Sequence, residues 1–257
     1  MSDLRLAVRQ VRYENLAFWR NPPAAFFTFA FPLIFLVLFN LLFGDDTIDA
    51  GGRQISASQF YVPAIAAFSI VTATFTNLAI GVTFSREQGL LKRLRGTPLP
   101  AWGYLFGRVA HAVLVTILLV ALVTTAGALL YNVDVPTGTI GALLATLVVG
   151  AFAFCSLGLA MTSVIPNAEA APAVVNAVIL PILFISDIFV NTDQAPEWLV
   201  TIGSIFPVKH VSEAMQTAFS PFTTGAGFEW AHLGIVAAWG VAGLALAVRF
   251  FSWEPRT

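Results

Sequence analysis

The sequence is poor in charged residues and has a single cysteine. Lys, Arg, Asp and Glu make up 11% of its 257 residues, against roughly a quarter in an ordinary soluble domain. Because Cys155 is the only cysteine, no intrachain disulfide can form and no cysteine-based metal site is expected. The net charge of −1 gives no sign of a nucleic-acid partner. With a mean hydropathy of +0.82, this composition excludes a disordered chain, a disulfide scaffold and an ordinary cytosolic enzyme.

Motifs of several catalytic and transport classes are also missing. The sequence has no Gly-x-x-x-x-Gly-Lys-Ser/Thr loop for nucleotide phosphates, no His-Glu-x-x-His pair and no Gly-x-Ser-x-Gly elbow. No carboxylate falls near the middle of a predicted span, where an ion-coupled carrier needs a group that binds its ion. Any ATP-driven work would therefore have to come from another subunit.

What the sequence does have is long apolar runs, each close to the roughly 20 residues that cross a bilayer. The predicted spans are residues 24–43, 60–84, 109–130, 139–165, 171–189 and 229–251. Pro172 and Pro181 interrupt the fifth of them. We predict an all-α polytopic membrane protein with six transmembrane helices in one domain covering residues 1–257.

Basic residues set the expected orientation. If the N-terminus is cytoplasmic, only Arg53 and Lys209 of the 13 Lys and Arg residues lie on the outer side. The positive-inside rule therefore predicts that both termini are cytoplasmic. We expect the chain in the cell membrane, most simply that of a bacterium.

The N-terminal residues 1–23 are predicted to form an amphipathic helix on the inner membrane surface. Leu4, Ala7 and Val11 recur at helical spacing, and Arg5 and Arg9 lie on the other side. No short apolar segment with a cleavage site follows, so the region is not a signal peptide. The alternative is a plain cytosolic tail.

A basic loop between the second and third predicted spans contains a short amphipathic helix over residues 86–96. Leu90, Leu91 and Leu94 are predicted to share one face, surrounded by basic side chains. Gly96 and Pro98 end the helix. Such a helix is suited to contact with another protein, although it could equally provide only inside-positive charge on anionic lipid.

A second informative segment lies on the outer side, between the fifth and sixth predicted spans. Residues 196–206 are apolar but too short to cross the membrane, and Pro207 separates them from a helical stretch at 209–219. This predicts a re-entrant hairpin over residues 196–219, with a pair of interfacial helices as the alternative. His210 and Glu213 are one turn apart, but two ligands without a third are more typical of a hydrogen-bonded pair. No metal site is predicted.

These features together resemble the membrane permease of type-2 ABC exporters over nearly the whole chain. The most specific part is the loop Glu87-Gln-Gly-Leu-Leu-Lys-Arg-Leu-Arg-Gly-Thr-Pro98. Within it the positions that match the family pattern are Glu87, Gly89, Leu94, Thr97 and Pro98. The Pro196-Glu-Trp-Leu segment and Phe206-Pro207 are similar to the family's outer motif. That motif often contains Asn-Pro and ends in a basic residue, whereas this chain has Phe206-Pro207 and Gln216, so no role of the basic residue is transferred.

The resemblance implies a division of labour. Two permease subunits, identical or related, would form the path at their interface within membrane lipid, and separate ATPase subunits would bind ATP and Mg²⁺. This chain would bind no cofactor and would not be an enzyme by itself. The ATPase-coupling residues would be Arg86, Glu87, Gly89, Leu90, Leu91, Lys92, Arg93, Leu94, Arg95, Thr97 and Pro98. The outer gate would comprise Pro196, Glu197, Trp198, Leu199, Phe206 and Pro207.

The substrate path is expected to be formed by spans one, two and five. Candidate side chains are Phe26, Phe27, Phe31, Phe35, Phe68, Thr72, Phe75, Thr76, Asn77 and Phe184. An aromatic path suits hydrophobic or amphiphilic cargo, such as a drug, an antibiotic or a lipid-linked molecule. Each single ring is more often a packing or lipid-facing residue. Two other functions stay open, a membrane anchor that recruits a cytosolic partner and an ion-coupled secondary carrier.

Overall fold

A computed structural model describes residues 3–44, 46–49, 54–94, 96–97, 99–191 and 195–254. The helices are α1 (Asp3–Trp19), α2 (Pro22–Phe43), α3 (Ala57–Val71), α4 (Asn77–Glu87), α5 (Leu90–Leu94), α6 (Ala101–Tyr131), α7 (Ile140–Met161), α8 (Ala171–Phe184), α9 (Glu197–Gly203), α10 (Pro207–Phe219) and α11 (Trp230–Phe250). A π-helical turn, Thr72–Thr76, joins α3 to α4. Two short antiparallel strands, β1 (Thr47–Asp49) and β2 (Gln54–Ser56), follow α2, so the chain is mostly but not entirely helical.

Five helices in the described ranges are long and apolar enough to cross a membrane. They are Pro22–Phe43, Ala57–Glu87, Trp102–Tyr131, Ile140–Met161 and Trp230–Phe250. They coincide with the first, second, third, fourth and sixth predicted spans, and they confirm a polytopic membrane protein. The predicted amphipathic segment is also helical, but it ends at Trp19, because α2 starts right after it.

The predicted fifth span differs from the structure. Residues 171–189 were expected to form one helix, but α8 has 14 residues and ends at Phe184. At 1.5 Å per residue this helix is about 21 Å long, which is less than the roughly 30 Å of a hydrocarbon core. The chain then turns, since Asp187 adopts a left-handed φ of 55° and its carbonyl oxygen accepts a hydrogen bond of 2.9 Å from Ser212 of α10. Six continuous spans are therefore not found among the described residues.

Local sequence explains where several helices begin and end. The Asn21 side chain accepts from the backbone N–H of Ala24, and Pro22 and Pro23 occupy the first turn of α2, where a missing N–H costs nothing. The end of α6 is set by Asn132, which adopts the left-handed conformation and donates its N–H to the carbonyl of Gly127.

Helix α3 occupies the centre of the bundle, and all 15 of its residues are buried. Around it pack α2, α6, α7 and α10. The π turn that follows α3 is in direct backbone contact with α7. A Cβ atom on Gly158 would lie 2.9 Å from the carbonyl oxygen of Phe75, so only glycine allows this approach. The centre of the fold therefore holds the π turn in a fixed position.

Candidate functional site

An open groove of about 370 Å³ lies between α2, the π turn and α8. Six of the predicted path residues line it: Phe27, Phe31, Phe68, Thr72, Thr76 and Asn77. These residues come from the first and second predicted spans, and α8 supplies the third wall. The structure thus brings together most of the path that the sequence predicted.

The polar side of the groove is formed by the π turn and its C-terminal neighbour. The Thr72 hydroxyl donates to the carbonyl oxygen of Phe68 over 2.9 Å. The hydroxyl of Thr76 is buried and has no hydrogen-bond partner among the described residues. Threonine hydroxyls compete for backbone carbonyls and loosen a regular helix, and π turns are frequent at functional sites. The sequence showed the threonines, but not the change in helical geometry.

Asn176 is a groove residue that sequence reasoning missed. It lies on α8 and faces the same cavity as Asn77. The remaining residues of α8 are apolar or proline. A single amide in such a helix was the signal that could have identified it, since a polar group at this depth is expensive unless it serves a partner or a ligand.

Four predicted path residues are placed elsewhere. Phe35 belongs to a ring cluster, with its centroid 5.2 Å from Phe189 and 5.6 Å from Phe68. Phe75 lines a second cavity, of about 580 Å³, between α7, α8, α10 and α11. Phe26 and Phe184 are exposed on the surface of the chain. Since single rings in an apolar sequence also serve packing, composition could not separate these four from the groove residues.

The helix predicted over residues 86–96 is not continuous, because α4 ends at Glu87, α5 covers only Leu90–Leu94 and a sharp turn separates them. Gly89 follows α4 and has a φ of +67°, and its N–H donates to the carbonyl of Arg86. Only glycine adopts this conformation without strain. The turn reverses the chain into α5, and the Thr97 hydroxyl donates to the carbonyl of Leu94 over 2.7 Å just after α5 ends. Arg95 and Pro98 lie outside the described residues.

The leucines of α5 do not share one face as expected. Leu91 is fully buried against Val82 and Tyr104, and Leu94 packs beside it. Leu90, by contrast, is 41% exposed. Adjacent residues of a helix point about 100° apart, and α5 is oriented so that Leu91 faces the bundle while Leu90 faces outward. Leu90, Lys92 and Arg93 together form the free side of α5.

Arg86 is buried instead of lying on the exposed coupling surface. Its guanidinium donates to the carbonyl oxygens of Thr162, over 2.8 Å, and Ile165, over 3.0 Å. These carbonyls follow the last turn of α7, where a helix leaves its acceptors unsatisfied. Arg86 therefore connects the base of the coupling segment to α7. Its neighbour Glu87 is half-buried.

A polar network connects α1 to the same region. Arg108 of α6 lies 3.2 Å from the Glu14 carboxylate, and it donates to the Tyr104 hydroxyl over 3.0 Å and to Ser85. A cavity of about 300 Å³ is lined by this ion pair and by Asn77. Asn77 lines both this cavity and the groove.

Two helices separated at Phe206 and Pro207 fill the predicted hairpin segment. Trp198 of α9 is exposed, whereas α10 is buried against α3, α7 and α11. The Phe206 ring stacks on Trp239 with centroids 6.4 Å apart, and the Trp239 indole donates to the carbonyl of Ile205 over 2.9 Å. The segment is thus packed against the helices of the bundle.

Beside this hairpin, His232 of α11 joins His210 and Glu213 of α10. The nearest atoms of the three side chains are 2.9 to 3.7 Å apart. Burial raises the pKa of the Glu213 carboxyl, and the nearby ammonium group of Lys209 opposes that rise. The premise that His210 and Glu213 have no third partner is wrong, because α11 folds back against α10.

Comparison with known proteins gives a family. Residues 9–220 match the ABC-2 type transporter family. The daunorubicin resistance ABC transporter permease protein DrrB1 of Streptomyces coeruleorubidus is 31% identical over 197 residues, which cover 71% of this chain and 64% of that protein. The putative transport permease ycf38 of Porphyra purpurea is 27% identical over 208 residues, with coverages of 80% and 70%.

A third relative is the probable multidrug ABC transporter permease YbhR of Escherichia coli K12. It is 23% identical over 154 residues, which cover 60% of this chain and 42% of that protein. The aligned part therefore spans less than two thirds of both DrrB1 and YbhR. The region that matches the family model contains the groove, α5 and α10, and it ends before α11.

Proposed function

The chain belongs to the ABC-2 type transporter family as a permease subunit, and we propose that it forms the substrate path of an ATP-driven exporter for hydrophobic or amphiphilic molecules. The observation that carries this proposal is the groove between α2, the π turn and α8. We further propose that the protein resides in a bacterial cell membrane with both termini in the cytoplasm, as the distribution of basic residues indicates.

The chemistry of the groove supports an amphiphilic cargo. Phe27, Phe31 and Phe68 offer ring faces to an apolar body, and Asn77 and Asn176 offer amide donors and acceptors. A volume of about 370 Å³ is at the small end of ligand pockets, so the groove would hold part of a drug-sized molecule. The names of DrrB1 and YbhR refer to drug resistance and multidrug transport, which favours the same class of cargo.

A second permease subunit would complete the path. Only four of the 22 residues of α2 are buried, and Phe27 and Phe31 are exposed at the open side of the groove. An apolar helix with so much free surface contacts lipid or another membrane helix. We propose that a second permease, identical or related, closes the groove from this side.

Coupling to the ATPase subunit is proposed to run through α5. Its free side carries Lys92 and Arg93, while Leu91 anchors it to the bundle. Residues 57–87 form one continuous helical rod that contains the π turn. A push on α5 would therefore pass through the turn at Gly89 into α4 and reach the groove along this rod. ATP and Mg²⁺ would bind to the ATPase subunit, and this chain would contribute no catalytic residue.

The proposed transport cycle uses both cavities that Asn77 lines. Cargo would enter beside Glu14 and Arg108 and pass Asn77 into the groove. Movement of α4 would then change the π turn and release cargo towards the hairpin formed by α9 and α10. In this proposal Trp198 and Phe206 belong to the outer gate.

The test is purification of the tagged full-length chain from its native membrane in mild detergent, followed by reconstitution into vesicles. We expect an ATPase subunit in stoichiometric amount and ATP hydrolysis that increases with amphiphilic compounds such as daunorubicin. A chain without any ATPase, under conditions that preserve dimers, would favour the anchor function. Transport driven by a proton or sodium gradient without ATP would favour the secondary carrier.

A further inference from the structure

Three ligating side chains from two helices converge where α10 meets the first turn of α11. They are His210, Glu213 and His232. The site lies at the N-terminal end of α11, far from Ala247 and the coupling segment that packs near it. We propose that these three residues bind a divalent transition-metal ion, with zinc as the best fit.

The distances between the ligand atoms suit such an ion. His232 Nδ1 lies 2.9 Å from His210 Nδ1 and 2.9 Å from Glu213 Oε2, and His210 Nδ1 lies 3.7 Å from Glu213 Oε2. Zinc–nitrogen and zinc–oxygen bonds of about 2.0–2.1 Å in a tetrahedron place neighbouring ligand atoms about 3.3 Å apart. The observed separations bracket this value, so an ion needs only small side-chain adjustments.

The hydrogen bond on the far side of His210 prepares it as a ligand. His210 Nε2 lies 2.8 Å from the carbonyl oxygen of Ser204. A carbonyl can only accept, so Nε2 carries the proton and the lone pair of Nδ1 points into the cluster. Metal-bound histidines are oriented by this kind of hydrogen bond. Two acceptor atoms, His210 Nδ1 and Glu213 Oε2, then face a single proton on His232 Nδ1, and a metal ion could take its place.

The two carboxylate oxygens of Glu213 have different neighbours. Lys209 Nζ lies 4.0 Å from Glu213 Oε1 and 3.1 Å from Asp187 Oδ2. The Lys209 ammonium is thus on the Oε1 side of Glu213, and its charge is neutralised by Asp187. Oε2 of Glu213 faces the imidazoles of His210 and His232. Two nitrogens and one carboxylate oxygen are typical zinc ligands, whereas calcium and magnesium prefer oxygen alone.

A fourth coordination position would remain open. The side chains of Glu213 and His232 are 34% and 29% exposed, so water or another small ligand could reach the ion. His232 also lies outside the region that matches the family model, which ends at residue 220. The site is therefore assigned from this chain's own geometry. An ion there would join α10 to α11.

Zinc titration of the purified full-length chain tests the proposal. After treatment with EDTA and its removal, we expect one zinc ion per chain by calorimetry, and nitrogen or oxygen neighbours at about 2.0–2.1 Å by X-ray absorption. His232→Ala and Glu213→Gln should each weaken binding more than the roughly 10–100-fold that follows the loss of a supporting hydrogen bond. His232→Cys, which keeps a ligand atom, should restore binding.

The chain offers a matched control in His111 on α6, which is the one histidine of the three that lies outside the proposed site. His111→Ala should bind zinc as the unmodified chain does. Metal-free thermal unfolding of each variant separates lost ligands from lost fold. The proposal is overturned if the unmodified chain shows no saturable zinc binding, or if His232→Ala, folded as judged by that measurement, binds as tightly. Neither outcome depends on whether the chain transports a substrate.

Discussion

Arg86 Nη1 donates to the carbonyl oxygen of Thr162 over 2.8 Å, and this bond joins the end of α4 to the end of α7. The second donor of the same guanidinium satisfies Ile165. Both carbonyls belong to the segment that follows α7, and Arg86 is almost fully buried. The residue that appeared from sequence to be part of a basic contact surface is thus an internal connection, and it gives the coupling segment a firm base.

Replacing Arg86 should therefore act mainly on stability. In Arg86→Met two buried carbonyls lose a charged donor, at about 1.5–3 kcal/mol for each hydrogen bond to a charged group. We expect a loss of at least about 3 kcal/mol in the free energy of unfolding, measured by thermal or denaturant unfolding in detergent. The control is Arg93→Met, the same change at an exposed position, which should stay within about 0.5 kcal/mol. Equal effects would contradict the internal role.

Charge reversal on the free side of α5 should instead act on partner binding. In Lys92→Glu with Arg93→Glu, two exposed cations become anions while Leu91 still anchors the helix. We expect the amount of co-purified ATPase to fall at least about tenfold, which corresponds to about 1.4 kcal/mol. The chain should still insert and elute at its normal size.

A charge reversal at the end of α11, Arg249→Glu, provides the comparison for this experiment. Arg249 is exposed in the last turn of that helix and is not part of α5. It should leave ATPase association unchanged. Unaltered co-purification in the double α5 variant would count against α5 as the coupling helix.

The turn at Gly89 should not tolerate a side chain without cost. A Cβ atom there meets nothing within 4 Å, so the expense of Gly89→Ala is confined to the backbone at φ +67°. We expect a loss of about 1–2 kcal/mol in unfolding free energy and weaker ATPase stimulation by cargo. Gly234→Ala is the contrasting variant, since this position is also open but lies in helix α11. It should be neutral or stabilising, by up to about 1 kcal/mol.

Removal of the groove amide should change substrate recognition. Asn176→Leu deletes a polar contact of about 1 kcal/mol while keeping the volume, so the KM of cargo-stimulated ATP hydrolysis should rise about fivefold for amphiphilic compounds. Purely apolar compounds should be affected less. Val178→Leu on the same helix faces the other cavity and serves as the control. An equal change of KM for both kinds of compound would argue that Asn176 does not contact cargo.

Much of the architecture followed from local sequence. Apolar runs of spanning length identified five membrane helices, because the free energy of insertion is close to a sum over neighbouring residues. The same reasoning overestimated the length of the helix in the fifth apolar run. Its composition is mostly apolar, but the tertiary contact of Asp187 with Ser212 accompanies a turn of the chain after Phe184.

Some residues of the groove were also predicted from the sequence. The spans expected to form the path, together with residue type, led to Phe31, Thr72, Thr76 and Asn77, which line the groove. The same criteria admitted Phe35 and Phe184, because a ring that packs and a ring that faces a cavity look alike in sequence. They also missed Asn176, whose significance depends on α8 lying opposite the π turn.

The sequence by itself determined that this is a polytopic membrane protein of the permease type, with membrane helices where its long apolar runs lie. Those properties depend on side chains within a few residues of one another. Only the tertiary structure decided that Leu91 is buried while Leu90 is free, that Arg86 binds Thr162 and that His232 meets His210. These contacts join residues distant in the chain, and the packing of whole helices selects them.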